Sequence, residues 1–376
     1  HQVRAVSAAD YLLLDDREFV FGRVAPGETV EWSVTVPVPV EDPNRATRVD
    51  LKVYADMIPL EATAAAQIEV VGRERPHWAL RYQIDDSDGN GDGLLQVGER
   101  VRLHVDVLNT GAGASEESIV EIRNMSDAAM FLHNGRDTVA SLAPGATHRS
   151  TFDFTVNAVP EDGVLRGRIH AYDTVFRELL GEDFRFDVTT AAEAGSVQRR
   201  AARALVLEAA PIHAGASAST PVVGQAPAGA SLPVSAEANG LVRVDFDDGF
   251  GWIEASRVQT QDAVAAPPSP VEATWSVRPP TIDIEALQTR TDAATVEVRG
   301  TIEDDDTVRD FYVVVTNSLD PRRVRSTKFD YRYIGAQSFA FEELIPIRAG
   351  TNQITVVARD TNRVETRSTV WVYRDE

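Results

Sequence analysis

The chain has 376 residues, with 58 acidic against 37 basic, a net charge of −21 and no cysteine. A strongly negative chain without a basic run does not suit nucleic acid, whose phosphates need clustered Lys and Arg. The missing cysteines exclude disulfides, iron–sulfur clusters and thiolate zinc sites, and no apolar run approaches the ~20 residues that span a bilayer.

In chain order the dominant pattern is short alternating runs. Val30–Val36 reads VEWSVTV, Val101–Val107 reads VRLHVDV and Phe152–Val156 reads FDFTV. Thr295–Val298 (TVEV) and Phe311–Val315 (FYVVV) continue it. Alternation rich in β-branched and aromatic residues predicts strands with one buried face. Gly and Pro interrupt the runs every ~8–12 residues, as in sandwiches and barrels. Val197–Glu208 is the best helix candidate, though its ALVLEA could equally begin a strand.

The chain repeats itself. Val24–Thr29 (VAPGET) precedes the run EWSVTVPV, and Leu142–Thr147 (LAPGAT) precedes STFDFTVNAV, 118 positions later. A Pro-Gly turn feeding a strand is used twice, and each copy goes on to a further strand, near Val53 and near Ile169. In the second copy two strand-like runs precede the position equivalent to residue 1, so the first sandwich is expected to lack its opening strands. With a start at His1 and no leader-like segment, the chain reads as a fragment or processed piece. Thr189–Arg203 and the Pro-rich Gln259–Pro280 read as linkers. Four modules follow: 1–74, a truncated immunoglobulin-like sandwich; 75–190, a sandwich carrying an acidic loop; 195–260, a small barrel; and 278–376, a C-terminal sandwich. The fold class is all-β: tandem immunoglobulin-like β-sandwiches with an inserted barrel.

The acidic loop carries the main chemistry. Asp88-Gly-Asn-Gly-Asp-Gly, followed by Leu94, Gln96 and Glu99, fits D-x-[DN]-x-[DN]-G-x5-E, a twelve-residue calcium loop. Calcium takes six to eight hard oxygens. Asp88, Asn90 and Asp92 would supply side chains, Leu94 its carbonyl, Gln96 a water-mediated contact and Glu99 a bidentate carboxylate. Asp85 and Asp86, just before the loop, stand ready as a further ligand or an outer layer. Both flanks look extended, so the expectation is structural Ca2+ between two β elements; a metal-free Asp/Asn/Gly turn is the competing reading. Asp304–Asp306 lacks the spacing and reads as a solvated turn.

No catalytic constellation emerges. Gly215–Ser219 (GASAS) superficially resembles a serine nucleophile turn, yet a Ser/Lys dyad needs a nearby lysine. The two lysines, Lys52 and Lys328, are over 100 residues away. The seven histidines are scattered without metal spacing.

Residues 203–258, with Asn239-Gly240 and Asp248-Gly249 turns and Gly251-Trp252-Ile253, resemble a bacterial Src-homology-3-type barrel. Such barrels often bind peptides or cell-wall peptides, but the usual aromatic after Asn-Gly is Leu241 here, so a spacer role stands beside a binding role. Trp252 is assigned to the core. The order as a whole, DDREFVFGRVAPGET, YQIDDSDGNGDGLLQVGERVRLHVDVLNTGAG, the barrel, EDDDTVRDFYVVV and RAGTNQITVVARDTN, resembles the non-catalytic C-terminal region of myxobacterial-type carboxyl-terminal processing (tail-specific) PDZ serine peptidases. The resemblance covers nearly all of the chain. It implies an exported, periplasmic or cell-surface location and PDZ and peptidase domains upstream in the same parent protein. It carries over no catalytic residue. The expectation is thus a non-enzymatic accessory region that positions substrate, docks to the envelope or spaces domains, with no nucleic acid partner and no membrane span. A free-standing secreted adhesin or envelope-binding protein is the alternative.

Overall fold

Strands form where alternating residues find a neighbour whose amides and carbonyls match their own. The computed structural model describes residues 2–189, 197–246, 249–262, 267–317, 325–361 and 363–375. Parts of both expected linkers (190–196 and 263–266), Asp248 and His1 lie outside the described residues. Among the described residues there is no α-helix, only the 3-10 turns Asp127–Ala129 and Ala255–Arg257. The chain divides into two compact units, residues 1–73 with 279–376, and residues 74–278. The four modules expected from the sequence fall within these two units, 1–74 and 278–376 essentially in the first and 75–190 and 195–260 in the second.

In the unit of residues 74–278, two four-stranded antiparallel sheets make an immunoglobulin-like sandwich. One runs Trp78–Asp85, Arg100–Asn109, Thr147–Val156, Met130–Leu132. The other runs Leu179–Asp187, Val164–Asp173, Ser118–Asn124, Arg136–Val139. Alternation decides what is buried. Val101, Leu103, Val105 and Val107 point inward, with Phe152, Phe154, Leu165, Ile169 and Phe184. Gly167 is required, because a Cβ there would lie 2.1 Å from the Phe184 ring.

The barrel follows. Gln198–Val206 is a strand, which resolves the helix-or-strand ambiguity of Val197–Glu208. It pairs with both Ser231–Ala238 and Val258–Asp262, so first and last strands close the barrel. Ala202, Ala204 and Val206 turn into a core with Leu232, Val244 and Ile253. Val258–Asp262 begins directly after the 3-10 turn Ala255–Arg257. The described part of the Pro-rich spacer is pinned rather than loose: Arg203 donates to Pro267 O at 2.9 Å, and Val277 bridges Leu80.

In the unit of residues 1–73 and 279–376, one sheet runs Glu18–Arg23, Gln2–Ala9, Arg45–Ala55, Ile58–Val70. A larger sheet is built on Thr281–Ile284, Thr295–Asn317, Gly350–Asp360, Glu365–Arg374 and Arg290–Thr291, with Arg325–Pro346 paired to Thr295–Asn317. TVEV and FYVVV are thus two stretches of one strand. Its register shifts between Glu303 and Val308, so Asp304–Asp306 sits in an irregularity within the strand instead of a turn between strands. Asp305 and Asp306 are exposed there. Arg45 joins the two sheets: its guanidinium lies 4.1 Å from the Tyr11 ring centroid and 4.4 Å from that of Trp371. Burial, and then the Asp42 carboxylate that accepts its hydrogen bond, push the Tyr11 hydroxyl up to about 12. Because a desolvated cation between two rings is worth about 2 kcal/mol or more, Arg45→Ala is expected to lower the melting temperature of this unit. Arg45→Lys, which keeps charge but not the flat stacking surface, should recover only part of it.

The repeat extends through a whole sheet. Shifted by 118, the order Glu18–Arg23, Gln2–Ala9, Arg45–Ala55, Ile58–Val70 matches that of Arg136–Val139, Ser118–Asn124, Val164–Asp173, Leu179–Asp187. The final hairpin keeps its register: Ala46 faces Glu69 as Val164 faces Asp187. The Pro-Gly turns also match, with Gly27 and Gly145 both at positive φ and a closing hydrogen bond of 3.0 Å in each.

One expected strand is not formed. Thr147–Val156 lies between Arg100–Asn109 and Met130–Leu132. Its equivalent in the first copy, the Val30–Val36 run, belongs to no sheet. The alternation suits a ladder, but no strand among the described residues is placed to complete it. Trp32 stays 51% exposed and Val38 47%.

Candidate cation loop

The loop from Asp86 to Glu99 joins Trp78–Asp85 to Arg100–Asn109, so paired strands fix both of its ends. Its residues hydrogen-bond inward. Gly89 N donates to Asp86 O at 2.7 Å and Gly93 N to Asp86 Oδ2 at 3.0 Å. Asp92 N donates to Asn90 Oδ1 at 2.9 Å, Leu94 N to Asp92 Oδ1 at 2.8 Å, and Gln96 N to Glu99 Oε2 at 2.9 Å. Gly89 lets the chain pass the acid, since a Cβ there would stand 2.8 Å from Glu99 Oε1.

The structure brings together Asp86, Asn90, Asp92, Gln96 and Glu99. Asp86 and Asp92 are fully buried. Asp86 Oδ1 is buried with no hydrogen-bond partner. Burial, reinforced by Asp92 and Glu99, pushes the Asp86 carboxyl up to about 7. Burial and Asp92 likewise push Glu99 up. One end of the Gln96 carboxamide lies 2.7 and 2.9 Å from the two Glu99 carboxylate oxygens. As a nitrogen it donates to Glu99; as an oxygen it accepts from Asn90 Nδ2 at 2.9 Å, which also donates to Asp92 Oδ2 at 3.0 Å.

Asp88, the first residue of the twelve-residue pattern, is not part of this group. Its carboxylate is exposed and pairs with Arg102. Asp85 also faces Arg102, at 3.0 Å, and hydrogen bonds from His104 and Ser87 hold its carboxyl well below the usual range. Leu94 is buried, with its side chain against Gly215. Among the described residues, no three His, Cys, Asp or Glu side chains converge tightly enough on one point to enclose an ion. Three carboxylates, those of Asp86, Asp92 and Glu99, are nevertheless gathered here, with one Asp86 oxygen buried and unpartnered, and carboxylate oxygens are the ligand type calcium takes. The sequence pattern flagged the loop; which of Asp86 and Asp88 turns inward depends on Arg102, a partner from the following strand.

The outer face of the loop packs on the barrel. Ala216 N donates to Asp92 O at 2.7 Å, and Arg243 to Gly91 O at 3.2 Å. Gly93, at φ +73°, sits so close to Gly215 that a Cβ on it would come within 2.7 Å of the Gly215 Cα. Trp252 is fully buried beside Ala216, Ala236 and Leu241. Next to this contact opens a cavity of about 810 Å3, lined among others by Leu94, Arg185, Ser219, Asn239, Leu241 and Glu254. In the GASAS stretch, the Ser217 and Ser219 hydroxyls hydrogen-bond one another at 2.9 Å. No described helix is long and apolar enough to cross a membrane.

The fold defines a multidomain all-β chain of immunoglobulin-like sandwiches. No protein-family model matches it, and no curated protein matches it in sequence. Among solved structures it is similar to E. coli alpha-2-macroglobulin, with 9% identity and a TM-score of 0.26 over 99% of this chain and 31% of that one. It is similar too to a tetra-tandem repeat from the extending region of a large adhesion protein, with 12% identity, a TM-score of 0.23, and 100% and 92% coverage. A third is a 1.5-MDa bacterial ice-binding adhesin, with 10% identity, a TM-score of 0.22, and 100% and 86% coverage. The chain spans about a third of the macroglobulin's length. Likenesses this low carry no functional argument, so the functional reading rests on the chain's own residues.

Proposed function

We propose that this chain is a non-catalytic positioning array within an exported protein, in which calcium held by the Asp86–Glu99 loop fixes the sandwich against the barrel. The observation that supports it is the unpartnered, buried Asp86 Oδ1 among Asp92, Gln96 and Glu99, in a loop whose other face hydrogen-bonds the barrel. Asp86, Asp92 and Glu99 would supply carboxylates, and Asn90 and Gln96 amide oxygens. Calcium would neutralise charge that water cannot reach, and the chain's own part is to aim these oxygens inward while Gly93 keeps the backbone on Gly215.

The parent protein, on the resemblance of the module order, is a tail-specific PDZ serine peptidase whose catalytic domain lies upstream, and the location is periplasmic or cell surface. The test is direct. The chain incubated with unfolded casein is expected to release no peptides, while the parent reading frame encodes a PDZ module and a peptidase. Cleavage abolished by Ser217→Ala or Ser219→Ala would overturn the accessory role.

The cavity beside Leu241 favours a second reading, an envelope-binding adhesin-like protein that takes a peptide or cell-wall ligand. Retention on purified peptidoglycan that is lost in Arg185→Ala would support it against a spacer.

A further inference from the structure

The hairpin of Thr295–Asn317 and Arg325–Pro346 is bent double. Residues 295–303 pair with 338–346 and with Thr281–Ile284, whereas residues 308–317 pair with 325–336 and with Gly350–Asp360. Across the bend the Phe311 ring meets Phe339 and Phe341, with centroids 5.5 and 5.2 Å away. The second strand slips register near Asp330, at φ +47°, and near Gly335, at φ +67°. In a straight strand Asp330 and Glu343 would lie about 43 Å apart, at ~3.3 Å per residue. Here their carboxyl groups share a hydrogen bond. Two carboxylates have only acceptors to offer, so the pair holds a proton. One cation serves both acids: Arg332 Nη2 lies 2.6 Å from Glu343 Oε1 and also donates to Asp330. Glu343 is the buried member, 7% exposed, on the inward face with Phe341 and Ile345 and opposite Val298. Burial, reinforced by the hydrogen bond to Asp330, pushes its carboxyl up to about 7. Hydrogen bonds with Glu343 and Arg332 hold Asp330 below its ordinary range. The neighbouring charges are engaged elsewhere. Arg299 binds Glu297 and Glu342 on the outer face, and Asp310 takes Arg359 and the Tyr331 hydroxyl.

We propose that Asp330, Arg332 and Glu343 form a proton-operated latch across this bend: with one shared proton it holds the two halves of the hairpin together, and losing that proton sets two carboxylates against one guanidinium and frees residues 328–336. The sign follows from linkage. A carboxyl raised on folding stabilises fully below its unfolded value, 4.5 for Glu343, and loses that contribution as pH rises through the folded value. Opening therefore becomes about tenfold easier per pH unit between these values and levels off above them.

Amide hydrogen exchange of the full chain, corrected for the intrinsic effect of pH on exchange, reads the opening at residues 328–336. From about pH 5.5 to 7.5 the opening constant should rise at least tenfold. Glu343→Gln keeps the shape and donates to Asp330 at every pH, so its opening constant should stay within about twofold. Carbon-13 NMR of the wild-type side chains needs no variant and should find Glu343 titrating near 7. Asp330→Asn, whose amide donates to the ionised acid, should move that midpoint down toward 4.5. Three results overturn the proposal: a wild-type Glu343 midpoint near 4.5, a tenfold rise that persists in Glu343→Gln, or an equal rise in Gln2–Ala9, which would mark unfolding of the whole unit instead of a latch.

Discussion

Saturating calcium is expected to raise the melting temperature of the unit of residues 74–278 by about 5–10 °C over a chelated sample. A ligand at a hundredfold excess over its dissociation constant stabilises by about 2.7 kcal/mol, and 1 kcal/mol moves a unit of this size by about 2–4 °C. Asp86→Ala should erase the response, because it removes the buried oxygen that lacks a partner. Glu99→Ala should do the same. Asp88→Ala should leave most of it, since that carboxylate faces Arg102 and water. Differential scanning calorimetry in millimolar Ca2+ and in EGTA makes the comparison. Identical melts in the two buffers would remove the site; loss in Asp88→Ala with retention in Asp86→Ala would exchange the two residues' roles.

Asp106→Ala is expected to cost about 3–5 kcal/mol, the scale for removing one partner of a buried ion pair. Asp106 is buried with Arg81 at 2.8 Å and Arg149 at 2.6 Å, and its loss leaves two guanidinium groups facing one another. Burial alone would raise its carboxyl, but hydrogen bonds and charge from Arg149 and Arg81 outweigh it and hold the group below the ordinary range. A group depressed by folding stabilises above its unfolded value, about 3.9, and loses that contribution as pH falls through the folded value. Urea midpoints of the wild-type chain should therefore drop more steeply below pH 4 than those of Asp106→Asn. Equal slopes would show that the two arginines do not depend on this carboxylate.

How much of this was legible in the sequence differs from element to element. Val101–Val107 and Phe152–Val156 were plain from alternation, because the period of two fixes which side chains meet the core. The same signal misled at Val30–Val36. Alternation states that a segment suits a ladder and says nothing about whether a neighbour exists. In the loop, the spacing set Asp88 with Asn90, Asp92, Gln96 and Glu99, whereas the structure gathers the last four with Asp86, since a linear pattern cannot see Arg102 drawing Asp88 outward. The stacking of Arg45 between Tyr11 and Trp371 had no local signature, as its parts lie at opposite ends of the chain. Gly93 and Gly215 were each visible as turn residues, yet their mutual contact is a property of tertiary packing alone.

The discontinuity of one unit has a consequence for the order of assembly. Residues 1–73 and 279–376 form a single body, with residues 74–278 between them in the chain. During synthesis the first sheet of this unit emerges before residues 74–278, and Trp371, the ring that stacks on Arg45, emerges after them. The intervening sandwich and barrel, contiguous in sequence, can close on the ribosome while the first sheet waits with its strand edges uncovered. A pulse-labelled nascent chain should therefore gain protease resistance in residues 74–278 before it does so in residues 1–73.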